Sequence, residues 1–302
     1  MSKRQLVTEN ILPDENINIL VVGAHPADAF DDIGGTLAHH AARGDHITAL
    51  ILTRGTRVHD VVVAEEIRKR ERAPTREELE PIIQERTEVK HQEVLEACQI
   101  LGFSDLRFLT YDDSVLTLKE EIMQRIAKVI REVQPHIVIT HYPLENAGIA
   151  SHHAITGQLV LNALGSAANV WPEDPNPPWR VSEVYFKAIH TALARPDVLT
   201  HATAGFANVY VDVTDVIELK VKALDKMKSQ QYSGAYARKS REAYEGAFGL
   251  NVRVAYAEAF IRYRSQVYDY LPVSYYAMAR ANEPEATLHR RQNLLVCHTV
   301  LE

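Results

Sequence analysis

Short apolar runs alternate along the chain with longer stretches whose apolar residues recur at helical spacing. The short runs predict strands at residues 17–24, 47–53, 106–111 and 136–143. The longer stretches predict helices at residues 34–43, 81–101, 118–133 and from His152 onward. Strand followed by helix is the βαβ pattern, and right-handed crossovers make a doubly wound, mostly parallel sheet the simplest arrangement. The predicted fold class is therefore α/β, with a Rossmann-like sheet and a C-terminal extension.

The remaining segments qualify this picture without changing the fold class. Two later strands, at 183–190 and 208–213, extend the sheet, and a helix is predicted at 215–230. Residues 57–80 form a charged insertion of mixed sign, which is a solvated helix or a mobile segment, with a lid over the site as the alternative. The tail at 265–302 carries many apolar residues and is expected to lie at a subunit interface. We predict one domain, residues 1–302, in a homo-oligomer.

Composition excludes several classes of protein. The chain has 302 residues, 46% of them hydrophobic, and a formal net charge of −7. A chain of this length buries a sizeable core, and no apolar run approaches the roughly 18 residues of a membrane span. The negative charge provides no basic field for nucleic acid. The first residues lack the apolar core of a signal peptide, and two cysteines form no disulfide framework, so we expect a cytoplasmic protein.

Candidate metal ligands follow two of the predicted strands. His25 and Asp28 come directly after the first strand, and His152 and His153 open the helix after the fourth. The carboxyl ends of parallel strands share one edge of a sheet, so these side chains are expected to lie close together. A catalytic zinc typically has three protein ligands and one position open to water. Taken alone, His25 and Asp28 are equally compatible with a capped strand end and a solvated histidine.

The motifs resemble one known family. Ala24-His25-Pro26-Ala27-Asp28 followed by Gly34-Gly35-Thr36 is similar to the AHPDD…GGT signature of the LmbE/PIG-L zinc deacetylase superfamily. Further matches follow in the same order, and the last of them is Tyr256-Ala257-Glu258. The resemblance implies a Zn²⁺ held by His25, Asp28 and His153. A shift of one residue would instead make His152 the ligand and put Ser151 in the position of the family's aspartate.

Two departures from the family pattern concern proton transfer. The first aspartate of the family's HPDD is its general base, and Ala27 stands there in this chain. Ala150 stands where the family has a histidine that stabilises the oxyanion. The missing role is expected to pass to a neighbour of the metal, with His152, Glu145 or Asp113 as candidates. A helix-capping, solvent-facing His152 is the alternative to a catalytic one.

Residues near the strand ends are also candidates for binding substrate. Arg54 and Arg57 follow the second strand and could hold a carboxylate or phosphate through a bidentate guanidinium, although ordinary surface roles would also explain them. His141 ends the fourth strand, and Asn146 lies in the loop that precedes the predicted ligand histidine. We expect a small polar or carboxylated substrate, with no nucleic acid and no membrane as partners.

Three functions remain open at this point. Family resemblance favours hydrolysis of an N-acyl (amide) bond by a zinc-activated water. The 4-oxalomesaconate hydratases, a related branch, also carry alanine at the base position and add water to an unsaturated carboxylate, which is the main alternative. A degenerate member that binds a metal or ligand without turnover is the third, although conservation of a complete ligand set in such a protein would have no purpose.

Overall fold

The computed structural model describes residues 15–144, 149–187 and 207–294. Its strands are β1 (Asn18–Gly23), β2 (His46–Thr53), β3 (Asp105–Tyr111), β4 (Ile137–His141), β5 (Glu183–Lys187), β6 (Val209–Asp212) and β7 (Ala257–Arg262). They form one sheet in the order β3-β2-β1-β4-β5-β7-β6. The pairs from β3 to β5 are parallel, and β7 is antiparallel to both β5 and β6. The predicted doubly wound, mostly parallel α/β fold is confirmed.

Helices cover both faces of the sheet. They are α1 (Gly34–Arg43), α2 (Thr56–His59), α3 (Val61–Lys69), α4 (Arg76–Ile100), α5 (Glu120–Val133), α6 (His152–Ala167), α7 (Ile217–Leu224), α8 (Ala235–Val252), α9 (Tyr275–Ala281) and α10 (Glu285–Gln292). Because side chains alternate along a strand, β1 sends Ile19 and Val21 into a core with α1, α4 and α7, and Leu20 and Val22 into a second core with α5 and α6.

Several elements differ from the sequence prediction. The helix predicted to start at 81 begins at Arg76, where Thr75 caps it and exchanges hydrogen bonds with Glu78. The charged insertion consists of α2, α3 and the first turns of α4. The helix predicted at 215–230 is α7 followed by a separate 3-10 turn at Lys228–Gln230. Strand β7, which was not predicted, lies between β5 and β6.

The strand order determines where a ligand can bind. β1 is flanked by β2 on one side and β4 on the other, so the connections from β1 and β4 leave towards opposite directions. In open α/β sheets the crevice at such a switch point, outside the carboxyl ends of the strands, is the usual ligand site. Within the described residues, no helix combines the length and the hydrophobicity that crossing a membrane requires.

Candidate metal centre

The first histidine and aspartate leave β1 on a tight turn. Residues Pro26–Ala29 form one turn of 3-10 helix, with His25 in extended conformation as its N-cap. The backbone N–H of His25 donates to Asp28 Oδ2 at 2.7 Å, which brings the carboxylate back over the strand end. Pro26 suits the start of this turn because its fixed φ and missing N–H cost nothing at a first helical position. The turn therefore presents His25 and Asp28 together at the carboxyl end of β1.

Three imidazoles converge on the Asp28 carboxylate. Asp28 Oδ2 lies 3.3 Å from His25 Nδ1, 3.5 Å from His153 Nε2 and 3.2 Å from His141 Nε2. His141 ends β4 and its ring stacks on that of His153, with centroids 4.1 Å apart. Ligand atoms of His25, Asp28 and His153 all lie within 4.8 Å of one another. The structure thus brings the three predicted metal ligands together, with His153 rather than His152 in the cluster.

The spacing of this cluster suits zinc. Tetrahedral zinc with bonds of about 2.0–2.1 Å has ligand atoms roughly 3.3 Å apart. The distances from Asp28 Oδ2 to His25 Nδ1 and His153 Nε2 are 3.3 and 3.5 Å, close to that ligand–ligand distance. Neutral imidazole and carboxylate are also the donor types that zinc takes in catalytic sites. The residues present therefore fit a divalent metal with three protein ligands.

Charge around Asp28 keeps it ionised. Burial alone would raise its pKa, but His153, His141 and Lys187 together lower the pKa of Asp28 well below its ordinary value. Burial lowers the pKa of His141 to about 4, so this imidazole is neutral near pH 7. Its Nε2 also lies 3.4 Å from the backbone N–H of Ala24. His141 consequently supports the ligand carboxylate from beside the cluster.

The predicted proton-transfer region contains His152 in place of an aspartate. His152 Nδ1 lies 3.1 Å from His25 Nε2, so its ring is next to the cluster although it is not a member. Burial is the largest cause of a lowered pKa at His152. Ala27 is buried and its methyl group lines the pocket, so no carboxylate stands at the family's base position. Glu145 and Asn146 lie outside the described residues.

Asp113 is near the site, but its oxygens are engaged by the backbone. Its carboxylate accepts the N–H groups of Thr56, Arg57 and Val58 at 3.2, 2.8 and 2.8 Å. These are the orphan donors at the start of α2, and a buried carboxylate satisfies them as a helix cap does. At the other end of α2, Lys90 Nζ donates to the carbonyl of His59. Asp113 thus holds α2 in place.

The two arginines predicted to bind substrate are paired elsewhere. Arg54 forms an ion pair with Glu80, and Arg57 forms one with Asp112, each at 2.9 Å. Neither arginine is among the described residues that line the pocket over the metal ligands. The structure therefore does not bring either guanidinium together with His25 and Asp28, because each is held by an acidic partner on its own side of the sheet edge.

Two residues that contact His25 or Asp28 were not predicted from the sequence. His59, at the end of α2, meets His25 edge-on with ring centroids 4.5 Å apart, and burial lowers its pKa to about 4. Lys187 ends β5 and is almost fully buried. His59 was hidden inside the charged insertion. Lys187 gave one signal, an ionisable residue at the end of an apolar strand.

The pocket itself extends beyond the metal ligands. It is a cavity of about 180 Å³. Its other lining residues are Asp31, Asp32, Gln230, Tyr232, Tyr236 and Tyr244. The rings of Tyr232 and Tyr236 stack with centroids 4.9 Å apart. The aromatic part of the lining comes from the C-terminal third of the chain, and its acidic part, Asp31 and Asp32, comes from the segment that follows the β1 turn.

Close packing fixes the ligand histidine on α6. A Cβ at Gly157 would lie 2.4 Å from the carbonyl oxygen of His141, so only glycine allows α6 to approach the end of β4 this closely. Ser151 caps the helix by accepting the N–H of Ala154. These two contacts place the start of α6, and with it His153, beside His141.

A C-terminal carboxylate holds the other side of the site. Glu258 on β7 accepts the N–H groups of Gly35 and Thr36 at 2.8 and 2.7 Å, at the start of α1. The buried Lys220 pairs with Glu258 and with Glu245. A carboxylate is favourable at a helix N-terminus because it satisfies orphan donors and complements the dipole. Residues 25–36, which carry two of the three candidate metal ligands, are therefore anchored from the far end of the chain.

Comparison with known proteins agrees with this geometry. The family model described as "PIG-L: GlcNAc-PI de-N-acetylase" matches residues 20–164, a range that includes all three clustered ligands. A curated relative, the 1D-myo-inositol 2-acetamido-2-deoxy-alpha-D-glucopyranoside deacetylase of Geodermatophilus obscurus, is 26% identical over 247 residues, which are 74% of this chain and 80% of that protein.

Solved structures share the fold at low identity. The 4-carboxy-2-hydroxymuconate hydratase GalB from Pseudomonas putida has a TM-score of 0.66 and 21% identity, covering 85% of this chain and all of that one. The N,N'-diacetylchitobiose deacetylase from Pyrococcus horikoshii has a TM-score of 0.61 and 21% identity, covering 82% of this chain and 84% of that one. The same architecture therefore occurs in a hydratase and in a deacetylase.

Proposed function

We propose that this chain, a relative of the PIG-L (LmbE-like) deacetylases, is a zinc-dependent hydrolase that cleaves the C–N bond of an N-acyl group in a small polar substrate. The observation that carries the proposal is the cluster of His25, Asp28 and His153 at the switch point of the sheet. When bound there, a divalent metal supplies Lewis acidity and lowers the pKa of a water towards neutrality. The curated relative named above is a deacetylase, which supports the reaction class.

Proton transfer and the positioning of α2 are assigned to different residues. We assign proton transfer to His152, because its imidazole lies 3.1 Å from His25 and its lowered pKa leaves it neutral and able to accept a proton near pH 7. Glu145 stays a second candidate. We propose that Asp113, whose oxygens already accept three backbone N–H groups, positions α2 rather than exchanging protons with substrate.

The charge of the pocket does not separate the two reactions. The lining carboxylates are those of Asp28, Asp31 and Asp32. Arg241 pairs with Asp31 at 2.9 Å and Lys187 pairs with Asp32 at 3.1 Å, and a divalent metal at Asp28 would add two positive charges. Amide hydrolysis is placed ahead of hydration because the curated relative named above is a deacetylase.

Hydration of an unsaturated carboxylate remains the second candidate function. One feature favours it, namely Ala27 in place of the general base that amide hydrolysis uses in the family. Hydration has no amine leaving group that must be protonated, so it makes a smaller demand on proton transfer. His141, which faces the pocket, and Asn146 are the proposed contacts to substrate in either reaction.

A metal analysis combined with a substrate panel tests the proposal. Purified protein is expected to contain about one zinc per chain and to deacetylate one or more N-acetyl amino sugars or related amides. His25→Ala should lose both zinc and turnover. His39→Ala is the matched control, because His39 lies on the surface and pairs with Asp215.

The outcomes separate the alternatives. Stoichiometric zinc in His25→Ala would refute the ligand assignment. Turnover of unsaturated dicarboxylates without any amide cleavage would establish the hydratase instead. Zinc binding with no turnover on either panel would point to the non-catalytic alternative.

We further propose a cytoplasmic homo-oligomer with the tail at its interface. Val267, Tyr270 and Leu271 are 98%, 87% and 95% exposed, which is unusual for a cluster of large apolar side chains in a monomer. A second copy of the chain is the proposed partner. Sedimentation of a Val267→Asp, Leu271→Asp variant should show a smaller species than the wild type, and an unchanged mass would contradict this assignment.

A further inference from the structure

Lys187 contacts the metal-ligand turn from the end of β5. It pairs in register with His141 of β4, so the two side chains project from the same face of the sheet. Its Nζ donates to the backbone carbonyl of Asp28 at 3.1 Å and lies 3.1 Å from Asp32 Oδ2 and 3.9 Å from Asp28 Oδ1. The side chain is 1% exposed, so all of these contacts are made away from bulk water.

A buried ammonium group is stable only where partners compensate for its lost hydration. Here both partners belong to residues 28–32, the segment that carries a metal ligand. The carboxylates of Asp32 and Asp28 lie 3.1 and 3.9 Å from Nζ, and the backbone carbonyl of Asp28 accepts a hydrogen bond from it. These contacts compensate the ammonium group of Lys187 for its burial.

The two oxygens of Asp28 are used differently. Oδ2 faces the imidazoles of His25, His141 and His153 and accepts the N–H of His25. Oδ1 faces Lys187. This division leaves one oxygen directed towards the ligand histidines, which is the arrangement a monodentate metal ligand needs.

We propose that Lys187, fixed by Asp32, is a positioning residue that holds Asp28 in this one-oxygen orientation towards the metal. The inference rests on the metal site of the proposed function. Groups that orient a metal ligand from outside the coordination sphere typically contribute about 10–100-fold to metal affinity. Lys187 acts on Asp28 through its backbone carbonyl as well as its carboxylate, so charge alone does not replace it.

The sign of the effect distinguishes positioning from simple electrostatics. A cation near a divalent metal repels it, so removal of the charge would tighten zinc binding if repulsion were the only effect of Lys187. If Lys187 positions Asp28, its removal weakens binding in spite of the relieved repulsion. The two accounts predict opposite changes in the dissociation constant of zinc.

The experiment measures zinc dissociation constants by competition with a chromophoric chelator for the full chain. The variants are Lys187→Met, the charge-neutral pair Lys187→Met with Asp32→Asn, and His25→Ala. Arg131→Met is the matched control, since Arg131 on α5 is also a buried cation, pairs with Asp174 and is not among the described residues that line the pocket. The charge-neutral pair removes the half-buried carboxylate of Asp32 together with the ammonium group of Lys187, so it provides the test if Lys187→Met alone does not fold.

We expect the charge-neutral pair to bind zinc at least about tenfold more weakly than the wild type. Arg131→Met should keep the wild-type zinc affinity within about twofold, even though it lowers stability. The absorption bands of the cobalt-substituted protein should change in the Lys187 variants and not in Arg131→Met, because ligand geometry changes only in the former.

Zinc affinity of the charge-neutral pair that equals or exceeds that of the wild type would overturn the positioning role. If the wild type and Arg131→Met bind zinc and His25→Ala does not, that result leaves the metal site intact and removes only this inference. A wild-type protein that binds no zinc at all would instead overturn the metal site and the inference together.

Discussion

The buried carboxylate of Asp113 provides the most quantitative test of how the site is built. Asp113→Ala removes the acceptor for the N–H groups of Thr56, Arg57 and Val58. A buried donor left without a partner costs about 1–3 kcal/mol, whereas an ordinary exposed helix cap is worth about 1 kcal/mol. The N–H of Thr56 is buried and those of Arg57 and Val58 are partly buried, so water can replace the acceptor only at the latter two.

We therefore expect Asp113→Ala to lower the free energy of unfolding by about 3 kcal/mol. With an m-value of about 3 kcal/mol/M for urea, the midpoint should fall by about 1 M. The measurement is urea unfolding in excess chelator, because a bound metal would add its own stabilisation. Loss of the cap should also release α2, so the NMR chemical shifts of the His59 side chain should change together with the loss of stability.

Asp112→Ala is the matched control for this substitution. Asp112 is the neighbouring aspartate, it is exposed, and its ion pair with Arg57 is worth at most about 1 kcal/mol. If Asp113→Ala unfolds at the same urea concentration as Asp112→Ala, the assignment of Asp113 as the cap of α2 is wrong. If Asp113→Asn loses turnover while its stability is unchanged, Asp113 takes part in catalysis.

Three further predictions concern the base position, pH and the approach of α6. In a His152→Ala background, Ala27→Asp should raise amide hydrolysis by at least about tenfold, since a general base contributes about 10²–10⁴-fold. Ala27→Asn, which has similar size without basicity, should not, and no gain from aspartate in this background would favour the hydratase. In metal-free protein, the unfolded chain binds a proton at His141 near its ordinary pKa of 6.5, but the folded chain does so only near 4, so stability should fall as pH drops from about 6.5 to 4. Urea midpoints at pH 7.5 and 5 should differ less in His141→Gln than in the wild type, and equal differences would refute the assignment. Gly157→Ala should lower the free energy of unfolding by about 1–3 kcal/mol and weaken zinc binding, because its Cβ meets the His141 carbonyl. Gly165→Ala, in open space on the same helix, should raise the free energy of unfolding by about 0.5–1 kcal/mol. Similar unfolding midpoints for the two variants would contradict the close approach.

Local patterns in the sequence were sufficient for the sheet core and for bringing His25, Asp28 and the histidine pair at the start of α6 to one edge of the sheet. Apolar runs identified β1 to β4, and Gly34–Arg43 is a helix with the predicted bounds. The α4 start was missed because residues 76–80 were assigned to the charged insertion, whereas the capping box of Thr75 and Glu78 starts the helix at Arg76. β7 escaped because the charged Glu258 interrupts its apolar run, and only the tertiary partners of Glu258 make its burial favourable.

The parts of the site that were missed depend on contacts that are distant in sequence. Lys187 was overlooked because lysine is rarely buried, and its partners are more than 150 residues earlier in the chain. The ion pairs of Arg54 with Glu80 and of Arg57 with Asp112 could not be foreseen either. Spacing alone contains no information about such pairings.

The anchoring of α1 by Glu258 has a consequence for biosynthesis. Gly35 emerges from the ribosome 223 residues before its carboxylate partner, and β7 must insert between β5 and β6 before the hydrogen bonds at the start of α1 can form. Loop closure over such a separation is slow, so we expect the turn that carries His25 and Asp28 to be completed late in folding. A nascent chain that stops before residue 258 would contain all three candidate ligands and still lack the anchor for the segment that carries two of them. Completion of the proposed metal site therefore requires β7, which is translated after the other described strands.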